Sequence, residues 1–151
     1  SETEEILTGL LFWPEAGAGD DIDYRTSAFA IHKAGHYGSI VGKSFTDLKE
    51  FHSLVLEAGR QGADFIKIMT TGLLDFADQG KVTGTPLDKK RFVRWCISHM
   101  KKALRYGHTN GVYGVQAAIE AGVDSLEHGN YMDEECISML ADSRTVWSPP
   151  L

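Results

Sequence analysis

The sequence predicts an α/β domain built on a parallel sheet, and three observations carry that expectation. After about residue 25, strand-like and helix-like stretches alternate along the chain. Lys67 sits inside the apolar strand-like run Gly62-Ala63-Asp64-Phe65-Ile66-Lys67-Ile68-Met69. His108 and His128 each close a further strand-like segment before a glycine-containing turn, and their spacing fits one strand-loop-helix-loop unit of a parallel β/α fold.

Each element follows from local pattern. The first 24 residues stay outside the rhythm: they run through Phe12-Trp13-Pro14 and Gly17-Ala18-Gly19-Asp20-Asp21, and read as an irregular N-terminal segment. Residues 25–151 then form the domain. Thr26 to Ile31 reads as a strand, followed by a loop punctuated by Gly35 and Gly38. From Thr46 to about Gln61, Leu48, Phe51, Val55 and Ala58 recur at helical spacing, with Thr46 or Asp47 as N-cap. The Lys67 strand comes next.

Gly72 to Pro86 is long and glycine-containing, in the manner of a functional loop. Pro86 starts a helix that runs to Lys102, with Phe92, Trp95, Cys96 and His99 on its apolar face. A weak strand, Ala103 to Gly107, leads to the helix Val112 to Ala121, the strand Asp124 to Glu127, the helix Asp133 to Ala141 and the strand Thr145 to Trp147.

Composition narrows the function classes. With 151 residues, 42% of them hydrophobic, the chain is long enough for one globular domain with a substantial core. A net charge of −6 and no stripe of Lys and Arg argue against nucleic acid as partner. The acidic start Ser1-Glu2-Thr3-Glu4-Glu5 is no signal peptide, and no apolar run approaches the roughly 18 residues of a membrane span. The expected location is the cytoplasm. Cys96 and Cys136 lack CxxC spacing and read as buried free thiols.

Chemistry concentrates at Lys67, His108 and His128. In a strand, side chains alternate, so Phe65, Lys67 and Met69 share one face and Ile66 and Ile68 the other. A buried ammonium is costly, and two readings answer that cost. In one, the lysine snorkels or pairs with a buried acid. In the other it reacts with carbon dioxide to give an anionic carbamate whose two oxygens bridge two divalent cations. Each histidine alone is readily a satisfied loop residue. Placed together on successive strand ends with Lys67, they suit zinc, and a carboxylate-type bridge suits a metal pair roughly 3.5 Å apart.

The strings Gly62 to Met69, Gly107-His108-Thr109-Asn110-Gly111 and, above all, Ala117 to Glu135 with its Glu120-Ala121-Gly122-Val123-Asp124-Ser125-Leu126-Glu127-His128-Gly129 block resemble the amidohydrolase superfamily, close to its imidazolonepropionase-like and prolidase-like branches. The resemblance covers about residues 25 to 151. It implies a partial (β/α)8 TIM-type barrel, roughly strands three to seven, with Lys67 as the carboxylated lysine and His108 and His128 as metal ligands. It places Asn110 and, on a weaker match, His36 near a small-molecule substrate. Tyr131 faces the same cavity or serves packing.

The implied activity is metal-dependent hydrolysis of amide-like C–N bonds, of cyclic amides or Xaa-Pro dipeptides, by metal-activated hydroxide. The family's His-x-His pair and final aspartate are not in these 151 residues, and a whole barrel takes about 250 residues. The chain therefore reads as an internal fragment, with self-association expected through exposed sheet edges. The alternative is a catalytically silent α/β structural or interaction module. A flavodoxin-like or phosphate-binding domain fits poorly, since GxGxxG and the P-loop pattern are missing.

Overall fold

The computed structural model describes residues 25–84, Cys96 and residues 103–150. In order, the chain forms β1 (Ala30–Lys33), β2 (Gly42–Phe45), α1 (Leu48–Arg60), β3 (Ile66–Met69), β4 (Arg105–Thr109), α2 (Val112–Ala121), β5 (Ser125–His128), α3 (Glu134–Ala141) and β6 (Val146–Ser148). The strands make one sheet in the order β2-β1-β3-β4-β5-β6, and every pairing is parallel. The α/β class and the parallel sheet are as the sequence predicts.

The helices start where side chains can satisfy free backbone N–H groups. Asp47 caps α1 by accepting from the Glu50 N–H at 2.8 Å, and the Glu50 carboxylate reaches back to the Thr46 N–H at 2.6 Å. Asp133 caps α3 in the same way through the Cys136 N–H at 2.8 Å. α2 ends on Gly122, whose φ of +80° is the left-handed cap that glycine adopts freely.

The first strand begins later than expected. Thr26 and Asp64 bind each other twice, Thr26 N–H to the Asp64 carboxylate and Asp64 N–H to the Thr26 carbonyl, and Ala28 turns to φ +60°. Those contacts hold residues 26–29 out of the ladder, so β1 opens at Ala30. The second difference is β2, which the sequence pattern does not signal because Phe45 is its only large apolar residue. Its backbone pairing with β1 makes it a strand, and Gly42 allows the approach: a Cβ there would lie 2.0 Å from the Ala30 carbonyl oxygen. β2 therefore takes the sheet edge outside β1, after a connection that carries no helix.

The helix expected over Pro86 to Lys102, with Phe92, Trp95 and His99, lies outside the described residues except at Cys96, which is helical and buried in the core. That core covers one face of the sheet, where Ile31, Ile66, Ile68 and Leu126 pack under Phe51, Val55, Ala58, Val115 and Ala118. Phe45 and Phe51 meet edge to face at 5.1 Å. Among the described residues, no helix is long and apolar enough to cross a membrane.

Candidate metal centre

Register decides which side chains share the other face. Lys67 pairs with Tyr106, Met69 with His108, and His108 with Glu127. Alternation then puts Lys67, Tyr106, His108 and Glu127 on the side away from the helical core. Phe65 stacks on Tyr106 with ring centroids 4.1 Å apart. Beside them opens a cavity of about 460 Å³ lined by Phe29, Phe65, Lys67, Met69, Tyr106 and Glu127, among others.

Lys67 points its amine toward Glu127, Nζ to Oε2 at 3.8 Å, with 20% and 21% of the two side chains exposed. The other Glu127 oxygen accepts from the Ser125 hydroxyl at 2.6 Å. Burial lowers the proton affinity of the Lys67 amine, and the Glu127 carboxylate opposes part of that shift.

The two sequence-predicted histidines meet: the rings of His108 and His128 lie 4.6 Å apart, edge to face. Tyr37, from the β1–β2 connection, brings its ring to 5.4 Å from His108. Burial first, then the neighbouring His128, hold the His108 imidazole down to about 4, with the Gly72 carbonyl and Glu127 opposing. His128 is also lowered, by burial and then Lys67. Both rings are neutral bases near pH 7, the form in which imidazole binds a metal.

His108 Nε2 lies 3.4 Å from the Gly72 carbonyl oxygen. With a proton on Nε2, that contact is a hydrogen bond and leaves the Nδ1 lone pair for another partner.

Asn110 sits behind His108 and is buried. Its amide Nδ2 donates to the Gly72 carbonyl at 3.1 Å, its Oδ1 accepts from Asn130 Nδ2 at 2.8 Å, and its N–H donates to Thr71 Oγ1 at 2.8 Å. Asn110 thus ties together the segments that follow β3, β4 and β5. His36 lies on the β1–β2 connection, half-buried, with its N–H donating to the Lys33 carbonyl at 3.0 Å.

The structure also draws attention to residues the sequence reading passed over. His32 lies on β1 itself, buried, and its parity with Ala30, the partner of Lys67, puts it on the Lys67 side of the sheet. Glu127 was legible from the same parity, two positions from Ser125. Tyr37 had no signal, because a turn residue carries no period.

The thiols take no part. Cys96 and Cys136 are free and buried, and burial is the main cause that raises them to about 12 and about 11. Among the described residues, no three His, Cys, Asp or Glu side chains cluster as a cation site.

No family model and no curated sequence matches the chain. Solved structures do. A Xaa-Pro dipeptidase with methionine bound in its active site is 30% identical, over 89% of this chain and 30% of that one, with a TM-score of 0.58. An amidohydrolase is 25% identical over 74% of this chain and 27% of its own, with a TM-score of 0.60.

The solved structures that this chain resembles are members of the amidohydrolase superfamily. The A. niger ochratoxinase adds the same fold at 21% identity and a TM-score of 0.62, over 80% of this chain and 34% of that enzyme. The chain spans about a third of the length of these superfamily members, and its parallel sheet corresponds to part of their TIM barrel. Hydrolase and prolidase-like are the descriptions these neighbours support.

Proposed function

We propose that Lys67, His108 and His128 are donors to a divalent-metal centre, zinc by donor type, in a hydrolase of amide-like C–N bonds. The observation that carries this reading is the pair of imidazoles 4.6 Å apart on neighbouring strand ends, where burial favours the unprotonated form of both rings and of the Lys67 amine. The donor set fits zinc: two neutral nitrogen bases and, once Lys67 is carboxylated, carbamate oxygens. Three donors leave room in a four-coordinate shell for water or substrate.

A bound divalent cation would supply Lewis-acid polarisation of a carbonyl and an activated water. The chain's own residues do the rest. Burial keeps His108 unprotonated, and Asn110 fixes the segments around it. Carboxylation of Lys67 requires Glu127 to give up its ion pair, and the adjoining cavity offers space for that movement. His36, and Asn110 from behind His108, are proposed to lie near the substrate, a Xaa-Pro dipeptide or a cyclic amide; the Xaa-Pro dipeptidase among the neighbours favours the dipeptide. Cytoplasmic residence and self-association along the β2 and β6 edges belong to the same reading, and a stable monomer in light scattering removes the latter.

The test is metal analysis of protein purified without chelators. Near-stoichiometric zinc, with hydrolysis of a Xaa-Pro dipeptide that disappears in Lys67→Ala, is the expected result. A wild-type chain with neither metal nor turnover overturns it. That outcome supports the second reading, a silent α/β module, which the Lys67–Glu127 pairing favours by giving the amine a resident counter-ion.

A further inference from the structure

The geometry points to Trp147 as a positioning residue that holds the His128 ring against His108. Strand alternation alone would not put it there. His128 pairs in register with Thr109, whose side chain is fully buried on the helix-facing side, hydrogen-bonded to Thr70 at 2.8 Å and close to Gly114 of α2. An extended His128 would follow Thr109 to that side, opposite Glu127. Instead its φ is +72°, a left-handed conformation that residues other than glycine seldom adopt. The turn brings its imidazole to 4.6 Å from that of His108.

Something must keep the turn in place. Trp147 Nε1 donates to the His128 carbonyl oxygen at 2.9 Å. On the inner side the Gly129 N–H donates to the Thr109 carbonyl at 3.0 Å. The indole comes so close that a Cβ on Gly129 would lie 2.8 Å from Nε1. Trp147 therefore grips the His128–Gly129 peptide, which leaves the turn and whose N–H also closes it onto the Glu127 carbonyl at 3.1 Å. β6 sets its position, through the pairing of Leu126 with Trp147. This inference deepens the proposed metal site and rests on that reading only for its consequence, not for the latch itself.

The test compares wild type with Trp147→Phe, which keeps an aromatic ring and loses the donor. In the metal-free chain, the nuclear Overhauser contact between the His108 and His128 ring protons should be present in wild type and lost in W147F. Circular dichroism reports that the variant is folded. An intact contact in a folded W147F overturns the latch, as does a wild type without the contact.

Zinc titration gives the second readout. The dissociation constant should rise about tenfold in W147F, the usual scale for a group that orients a ligand, and W147F should add nothing in a His128→Ala background. Equal losses in both backgrounds would mark a general structural role and overturn the inference. A wild type that binds no zinc but loses the ring contact in W147F removes the metal reading and leaves the latch standing.

Discussion

The two faces of β3, β4 and β5 are made from alternate residues of the same strands, yet they are held by opposite physics. On the helix-facing side Ile66, Ile68 and Leu126 are packed and closed. On the other side Lys67, Tyr106 and Glu127 line open space, and that face carries costs: an amine largely out of water, an imidazole held neutral, a histidine in a left-handed turn. Packing closes the first face, and the proposed site lies on the second. Breaking that division is the strongest test of it. Leu126→Ala should cost about 3 kcal/mol in urea unfolding, the range for a fully buried leucine, and a loss under about 1 kcal/mol would mean the helix-facing side is not the anchor.

Acid should act on the opposite face. Burial holds the His108 imidazole down to about 4, from an ordinary 6.5, so the unfolded chain binds the extra proton between those limits. Its contribution is fully present above pH 6.5 and is lost as pH falls toward 4. In the metal-free chain this amounts to about 2–3 kcal/mol. Urea midpoints measured from pH 7.5 to 4 check it, and His108→Phe should flatten the profile in that window.

The sequence carried much of this arrangement because the packed face repeats. Period two along Phe65 to Met69 separated Lys67 from Ile66 and Ile68, and helical spacing marked α1 from Leu48 to Ala58 with its Asp47 cap. What it could not carry was set by single long-range contacts. β2 is a strand only because Gly42 lies against Ala30, and β1 starts late because Asp64 ties down Thr26. At the site, Lys67 and His108 were placed by strand parity, whereas His128 reaches the mouth through one backbone turn that no periodicity encodes. The Glu127 partner of Lys67 belongs to the same class: a contact between strands 60 residues apart in sequence, fixed by register.

Asn110 joins the two faces, since its network bolts the segment after β3 to β4 and β5 behind His108. Asn110→Ala should destabilise by about 2 kcal/mol, because the Gly72 carbonyl and the Asn130 amide lose buried partners. Asn110→Asp sharpens the point. It keeps an acceptor for Asn130 but sets a carboxylate near His108, whose Nε2 is 3.5 Å from the present amide nitrogen. The His108 ring should then titrate at higher pH, as NMR would report, and the acid loss of stability should shrink.

The smallest effect on stability is expected at Lys67, and it separates the faces most sharply. Lys67→Met removes an ammonium that burial disfavours and forfeits a loose pair with Glu127 at 3.8 Å. Both groups keep about a fifth of their surface in water, so Glu127 is not stranded in a dry interior. The two terms oppose, and the net change should stay within about 1 kcal/mol of wild type. Zinc content should nevertheless fall, because methionine supplies neither an amine nor a carbamate. Ile68→Ala, one residue along the strand, should do the reverse by lowering the urea midpoint strongly while leaving every donor in the chain. A Lys67→Met variant destabilised as much as Ile68→Ala would show that the amine anchors the strand, and the division between the faces would fail at its central residue.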